Sequence, residues 1–275
     1  MTGLSPRAIL ALSLFTFILC LCCPAAAPAG EYVPQSGQPG KDVVWVPSPP
    51  AMVEKLLDLA AVTPRDFVID LGSGDGRTVI AAAKRGARAH GIEYDASLVA
   101  LSKRRAAREG VSERATFEKG DVFEIDFAKA TVIVLFLTPE MNIRLRPKLL
   151  DLRPGTRIVA NTFGIGDWNA DRTATITGNC VRWCTARLWV VPAKVTGIWK
   201  MPEGVLTLKQ VYQTFSGTLE GSTGSASVAG RVRGENIFFA SRKSRFTGRV
   251  DGGLIEGIAR TAGKDSEFRA TRIGH

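Results

Sequence analysis

Apolar residues recur at helical spacing over Ala51–Ala61, where Met52, Val53, Leu56, Leu57 and Ala60 share one face. Phe67-Val68-Ile69-Asp70-Leu71 then reads as a short buried strand. A helix over Arg77–Arg85 and a strand over Arg88–Glu93 come next. Ala96–Glu109 is an amphipathic helix stopped by Gly110, followed by a strand over Ala115–Glu118. Thr131–Leu137 is a continuous apolar run, the mark of a strand covered on both faces. A helix over Pro139–Leu150 and a strand over Thr156–Phe163 complete the series. Alternation of this kind requires a parallel sheet with right-handed crossovers, so residues 51–192 are expected to form a doubly wound, Rossmann-like α/β domain.

The flanks have a different texture. Residues 30–50 hold Pro34, Pro39, Pro47, Pro49 and Pro50 among polar residues and glycines, and read as an extended lead-in. From about Ala193 helical periodicity stops. Gly230-Arg231-Val232-Arg233-Gly234 with Ile237 is echoed 18 residues later by Gly248-Arg249-Val250-Asp251-Gly252 with Ile255. Each copy is hairpin-sized, so residues 194–275 are expected to form a small antiparallel β-meander. At the other end, Arg7 precedes an apolar run from Ala8 to Cys23, short for a bilayer span of about 20 residues. Ala27-Pro28-Ala29 then supplies small residues at a cleavage site. Residues 1–29 are read as a secretory signal peptide, which would export the chain to a periplasm or cell envelope. An uncleaved membrane anchor through residues 8–23, or an organelle-targeting segment, is the alternative.

Composition narrows the class. The chain has 275 residues, 45% apolar and 23% charged, which excludes disorder or a coiled coil as a description of the whole. Its 36 basic and 26 acidic residues leave +10, suited to an acidic partner or surface. Residues 194–275 carry 13 basic against 7 acidic residues and so hold most of that surplus. With only His90 and His275 present, no metal site is expected, nor a Ser-His-Asp triad. Cys180 and Cys184 on one extended strand would lie about 13 Å apart, beyond the roughly 7 Å that a disulfide tolerates. They are expected to be buried free thiols, able to pair only across a turn.

The chemistry concentrates in Asp70-Leu71-Gly72-Ser73-Gly74-Asp75-Gly76-Arg77, which leaves a strand and opens a helix. Glycines there allow close backbone approach, and a helix start offers N–H groups to an anion, carboxylate or phosphate. The Gly-x-Gly-x-Gly spacing differs from the dinucleotide fingerprint, and the Lys-Ser/Thr of a triphosphate loop is absent. A ligand with both a carboxylate and an amine fits this mixture, as in the amino-acid end of S-adenosylmethionine. Its carboxylate is expected on the Gly74–Arg77 backbone and its ammonium near Asp70. Glu93 ends the second strand, where it could accept both ribose hydroxyls. Asp121 and Val122, after the third, could meet the adenine amine and ring. Three acids at the carboxyl ends of three successive strands mark the ligand edge of an open α/β sheet. The expected cofactor-binding residues are therefore Asp70, Gly72, Ser73, Gly74, Gly76, Glu93, Asp121 and Val122.

These residues resemble the class I S-adenosylmethionine-dependent methyltransferases over residues 43–192. Trp45-Val46-Pro47-Ser48-Pro49, the glycine loop, and Ala81-Ala82-Ala83-Lys84-Arg85-Gly86-Ala87 are most similar to the lysine N-methyltransferases of the ATP synthase c-subunit and adenine nucleotide translocase. The resemblance implies S-adenosylmethionine as cofactor and methylation of a lysine side chain on a protein, itself membrane-associated. The chain departs from that family at Thr138-Pro139 and in the basic β-rich segment. Candidate acceptor-positioning residues are Trp45, Ser48, Thr138 and Glu140, with Asn161 and Phe163 on the same rim. A small-molecule N- or O-methyltransferase and a non-catalytic exported binding protein on a relic fold are the alternatives. Nucleic acid is disfavoured as a substrate, because no Asn-Pro-Pro-Tyr-type loop follows the fourth strand.

Overall fold

The computed structural model describes residues 32–177, 180–222 and 224–274. The leader read at 1–29, with Cys20, Cys22 and Cys23, lies outside the described residues. Among those described, no helix is long and apolar enough to cross a membrane.

Residues 32–49 have no helix or strand and lead into α1 (Pro50–Leu59), whose first position is a proline that needs no N–H partner there. The series continues with β1 (Phe67–Leu71), α2 (Arg77–Lys84), β2 (Arg88–Glu93), α3 (Ala96–Arg108) and β3 (Ala115–Lys119). Then come β4 (Val132–Leu135), α4 (Pro139–Leu150), β5 (Arg157–Asn161), β6 (Arg172–Thr175) and β7 (Thr185–Val190). The sheet order is β3-β2-β1-β4-β5-β7-β6. Strands β1 to β5 are parallel, while β7 runs antiparallel to both β5 and β6. Order reverses between β1 and β4, so a crevice opens beyond the carboxyl ends of these strands. Val53, Val79 and Val99 of α1, α2 and α3 pack on one face of the sheet. Met141, Leu145 and Leu149 of α4 pack on the other, with Trp168 and Trp189.

Two features differ from the sequence reading. The sheet does not stop at its fifth parallel strand but continues into the antiparallel β6–β7 hairpin. β6 has only four residues, most of them exposed at the sheet edge, and so lacks any apolar period. The β-rich segment is also more than a meander. Strands β8 (Gly197–Met201), β9 (Gly204–Val211), β10 (Thr214–Gly221), β11 (Gly224–Arg233), β12 (Asn236–Ala240), β13 (Ser244–Asp251), β14 (Leu254–Thr261) and β15 (Lys264–Gly274) close into a barrel. Closure comes from β15 pairing back onto β8, which removes both sheet edges. Phe215, Phe239, Phe246 and Phe268 fill the interior. A Cβ on Gly230 would lie 2.3 Å from the Phe238 carbonyl oxygen and 2.5 Å from the Phe215 ring and the Phe239 Cβ, so this repeat glycine lets the next strand and the Phe215 ring close in.

Candidate active site

A cavity of about 400 Å³ lies at the carboxyl ends of β1, β2 and β4. It is lined by Asp70, Gly72, Ser73 and Gly74, by Glu93, Asp121 and Val122, by Phe136 and Leu137, and by the arm from Gln38 to Ser48. Gly76 does not line it, and its missing side chain faces Phe117 and Ser102. Its size suits a nucleoside-bearing ligand.

Local rules place each group. Strand β1 carries Asp70 into the interior, where it is 5% exposed. Its carboxyl is pushed up to about 8, chiefly by burial and then by the nearby charge of Glu93, against a stabilising bond from Thr78. A buried carboxyl next to a second one is a site that favours a cation. Gly72 and Ser73 both donate to Ile92 O at 2.9 Å, which folds the loop back on β2. Gly74 and Gly76 have φ of 55° and 80°, in the left-handed region that glycine adopts at no steric cost. A Cβ at Gly74 would sit 2.5 Å from Trp45 Nε1, so the loop lets the indole lie against its backbone. Ser73 Oγ is buried and has no hydrogen-bond partner among the described residues.

Glu93 accepts the Gly74 N–H at 2.8 Å and the Asp95 N–H at 2.9 Å. Gly76 donates to Ser73 O at 3.0 Å. Arg77 N–H donates to Asp75 Oδ1 at 3.4 Å, so three of the loop N–H groups expected to face an anion are already used within the site. Asp121 accepts from Phe123 N–H at 2.9 Å and pairs with Lys41, whose ammonium also stands 5.2 Å from the Tyr94 ring centre. The Lys41 hydrogen bond, followed by that of Phe123, holds the Asp121 carboxyl below its usual range.

Of the acceptor candidates, Trp45 and Ser48 line the cavity. Ser48 is buried, with its Oγ 3.1 Å from the Asn161 Nδ2 donor and its carbonyl accepting from Arg77. Thr138 and Glu140 are not among the lining residues. Thr138 caps α4 by accepting the Met141 N–H at 3.3 Å, and Glu140 is an exposed acid in that helix's first turn. Their sequence positions are explained by helix chemistry. His90 is half-buried on β2, with Nδ1 2.8 Å from Thr116 Oγ1, and does not line the cavity.

The structure corrects the reading of the cysteines. Cys180 and Cys184 form a disulfide with Cα atoms 5.8 Å apart, across the turn that enters β7. The extended-strand distance does not apply because the chain reverses there. Sequence reasoning also passed over Lys41, Tyr94, Phe136 and Trp183. Phe136 had a signal, since it directly follows an apolar strand at the ligand edge.

A family profile described as the ANTKMT methyltransferase domain matches residues 70–172. A protein-lysine N-methyltransferase of Saccharolobus islandicus is 41% identical over 130 residues, covering 46% of this chain and 81% of that one. A lysine N-methyltransferase of the ATP synthase c-subunit, from Rattus norvegicus, is 39% identical over 47% of this chain and 60% of its own length. A solved RNA methyltransferase from Salinibacter ruber, in complex with S-adenosyl-L-homocysteine, is 42% identical. It matches 55% of this chain and 96% of that one with a TM-score of 0.51. The cradle left by the glycines and the cation-favouring pair Asp70 and Glu93 fit S-adenosylmethionine. On site and similarity together, the chain belongs to the S-adenosylmethionine-dependent methyltransferases built on the ANTKMT-type domain.

Proposed function

We propose that the chain methylates the ε-amine of a lysine side chain in a protein, using S-adenosylmethionine. The observation that carries this reading is the 41% identity with a protein-lysine N-methyltransferase, 81% of whose length is matched. When bound, the cofactor supplies a methyl group already activated on a sulfonium. Asp70 would hold its ammonium, Glu93 its ribose hydroxyls, and Asp121 with Val122 its adenine. Asp70 to Asp121 thereby fix the donor, and the protein must then hold the nucleophile about 3–3.5 Å from the methyl. A lysine amine must lose its proton first, at about 5 kcal/mol at neutral pH. Apolar lining by Trp45, Phe136, Leu137 and Met141 lowers that cost by disfavouring the charged form. No histidine is among the described residues that line the cavity, and desolvation lets the amine give its proton to solvent as it enters.

The same reading takes the chain as exported, acting on a membrane-associated protein. It is supported by the leader-like residues 1–29 and by the Cys180–Cys184 disulfide, which suits an oxidising compartment. N-terminal sequencing of the mature protein, with fractionation of the host cell, tests it. A cytosolic protein with an intact leader would overturn it.

RNA is the second reading, favoured by the Salinibacter ruber neighbour. Radiolabelled methyl transfer into separated membrane and soluble extracts decides between the two. Protease-sensitive label that yields methyl-lysine on hydrolysis is the expected result. Label removed by ribonuclease would establish RNA, and label confined to small metabolites would defeat both.

A further inference from the structure

Three large aromatic residues meet beside the cavity, and one of them, Phe136, lines it. Phe136 directly follows β4, and Phe163 follows β5 by two residues. Trp183 is carried on the turn between β6 and β7. Ring centres lie 6.3 Å apart for Phe136 and Phe163, 5.7 Å for Phe136 and Trp183, and 5.2 Å for Phe163 and Trp183. Each ring touches the other two, yet all three residues remain partly exposed. Core aromatics of the same domain behave differently, since Trp168 and Trp189 are each 1% exposed.

The backbone beneath the cluster is unusual in two places. Thr162, next to Phe163, has φ of 60°, and Trp183 has φ of 61°. A β-branched or bulky residue in the left-handed region persists only where the surroundings enforce it, and such positions gather at functional sites. Here the surroundings are visible. Thr162 N–H donates to Thr185 O at 2.6 Å, and Arg187 Nε donates to Thr162 O at 2.9 Å. The Cys180–Cys184 disulfide closes the turn around Trp183. Covalent and hydrogen-bonded ties therefore hold Trp183 against Phe163 and Phe136, and Phe136 alone of the three lines the cofactor cavity.

We propose that Phe136, Phe163 and Trp183 form the acceptor subsite, an apolar wall for an alkyl chain ending in an amine, and that the Cys180–Cys184 disulfide pins its outer member. This proposal rests on the lysine reading above. The rings are in mutual contact, so the wall is solid and the alkyl stem lies along it. Ring faces attract the entering ammonium. Their apolar surface then strips water from it, so that it gives its proton to solvent on entry and meets the methyl donor as the neutral amine. Phe136 borders the cofactor cavity, and Phe163 and Trp183 continue the wall outward from it.

The test uses the full chain saturated with S-adenosylhomocysteine, and n-butylammonium as a probe with the length of a lysine side chain. Proton NMR should show a saturable upfield shift of the butyl methylenes from the aromatic rings. In Trp183→Ala the probe dissociation constant should rise about fivefold, the upper range of an exposed ring–cation contact. Trp183→Phe should restore binding. The double variant Cys180→Ser with Cys184→Ser, and the wild type after reduction with dithiothreitol, should both resemble Trp183→Ala. S-adenosylhomocysteine affinity should stay within about twofold throughout, well under the 1.4 kcal/mol of a tenfold change. A wild type with no saturable shift, or Trp183→Ala binding the probe unchanged, overturns the subsite. So does a matching loss of S-adenosylhomocysteine affinity, which would mark general loosening. Transfer of label into RNA in the extract assay overturns the lysine reading separately, because the probe measurement does not depend on it.

Discussion

Glu93 accepts the backbone N–H of Gly74 at 2.8 Å, so the acid at the tip of β2 braces the loop at the tip of β1. The bond places two parts of the cofactor site in one unit. A carboxylate there shapes the glycine turn and keeps lone pairs for the ribose hydroxyls proposed to meet it.

Glu93→Ala should therefore weaken S-adenosylhomocysteine binding by more than one lost contact. Hydrogen bonds to charged groups are worth about 1.5–3 kcal/mol, or roughly 10- to 150-fold in affinity. Glu93→Gln, which keeps one acceptor, should fall between that variant and the wild type. Calorimetric titration measures both, and wild-type affinity in Glu93→Ala would remove Glu93 from the site.

Asp70 gives the site a pH dependence. Its carboxyl titrates at about 8 in the folded chain, raised from 3.8 by burial first and by Glu93 next. Between those values the folded state holds a proton that the unfolded state has lost. Unfolding free energy should thus fall as pH rises from about 4 to 8. S-adenosylmethionine binding should move the other way, because its cation pairs with the ionised carboxylate. Affinity should rise with pH and level off above about 8, with proton release visible as a dependence on buffer ionisation enthalpy. Asp70→Asn should bind weakly and show neither slope.

Those acids were legible because each ends a patterned run. Asp70 stands one residue before the end of β1, Glu93 closes β2 and Asp121 follows β3, so strand order alone puts them on one edge. Helix α4 was equally plain, with Thr138 and Pro139 giving its start. What could not be read depends on distant chain. Lys41 reaches Asp121 from 80 residues away out of an arm with no periodicity. Alternating apolar residues reveal the strands of the barrel, but not that β15 returns to β8. The disulfide was missed because a spacing argument assumed an extended strand where the chain turns. Trp183 belongs to that same turn, and its partners Phe136 and Phe163 come from two other strand ends.

Asp75 is a structural acid within the loop. It is 2% exposed and sits between Arg77, at 2.9 and 2.6 Å, and Arg105. Burial would raise its carboxyl, but the hydrogen bond and charge of Arg77, joined by Arg105, hold it below the usual range. Its stabilising contribution is present above the ordinary carboxylate pKa of about 4 and is lost as pH falls below it. Asp75→Asn should destabilise the fold by about 2–3 kcal/mol near neutral pH. This lies at or just below the roughly 3–5 kcal/mol of a broken buried pair, since both guanidiniums keep some contact with water. The difference from wild type should shrink in acid, as followed by thermal unfolding from pH 7 to 3.

Gly76 opens α2 at φ 80°, and an added Cβ would lie 2.8 Å from Phe117 and from Ser102. Gly76→Ala should cost more than 1 kcal/mol, roughly, from backbone strain and overpacking together. Gly110 supplies the control. Its φ is 68°, with nothing within 4 Å of the added atom, so Gly110→Ala carries strain alone. Equal losses in the two variants, measured by chemical denaturation, would deny the packing role of Gly76.

Lys41 occupies the carboxylate expected to meet adenine. It bonds Asp121 from the arm, while its ammonium stands over Tyr94. An adenine amine arriving there would compete with it for the carboxylate. The pair is partly exposed, with side-chain exposures of 37% for Lys41 and 13% for Asp121, so solvent screening limits what it costs the ligand. Lys41→Ala should accordingly tighten S-adenosylhomocysteine binding by no more than about fivefold. Added salt should raise wild-type affinity slightly by weakening the ion pair, and should leave the variant flat. A loss of affinity in Lys41→Ala would show instead that Lys41 turns from Asp121 to the ligand and closes the arm over it.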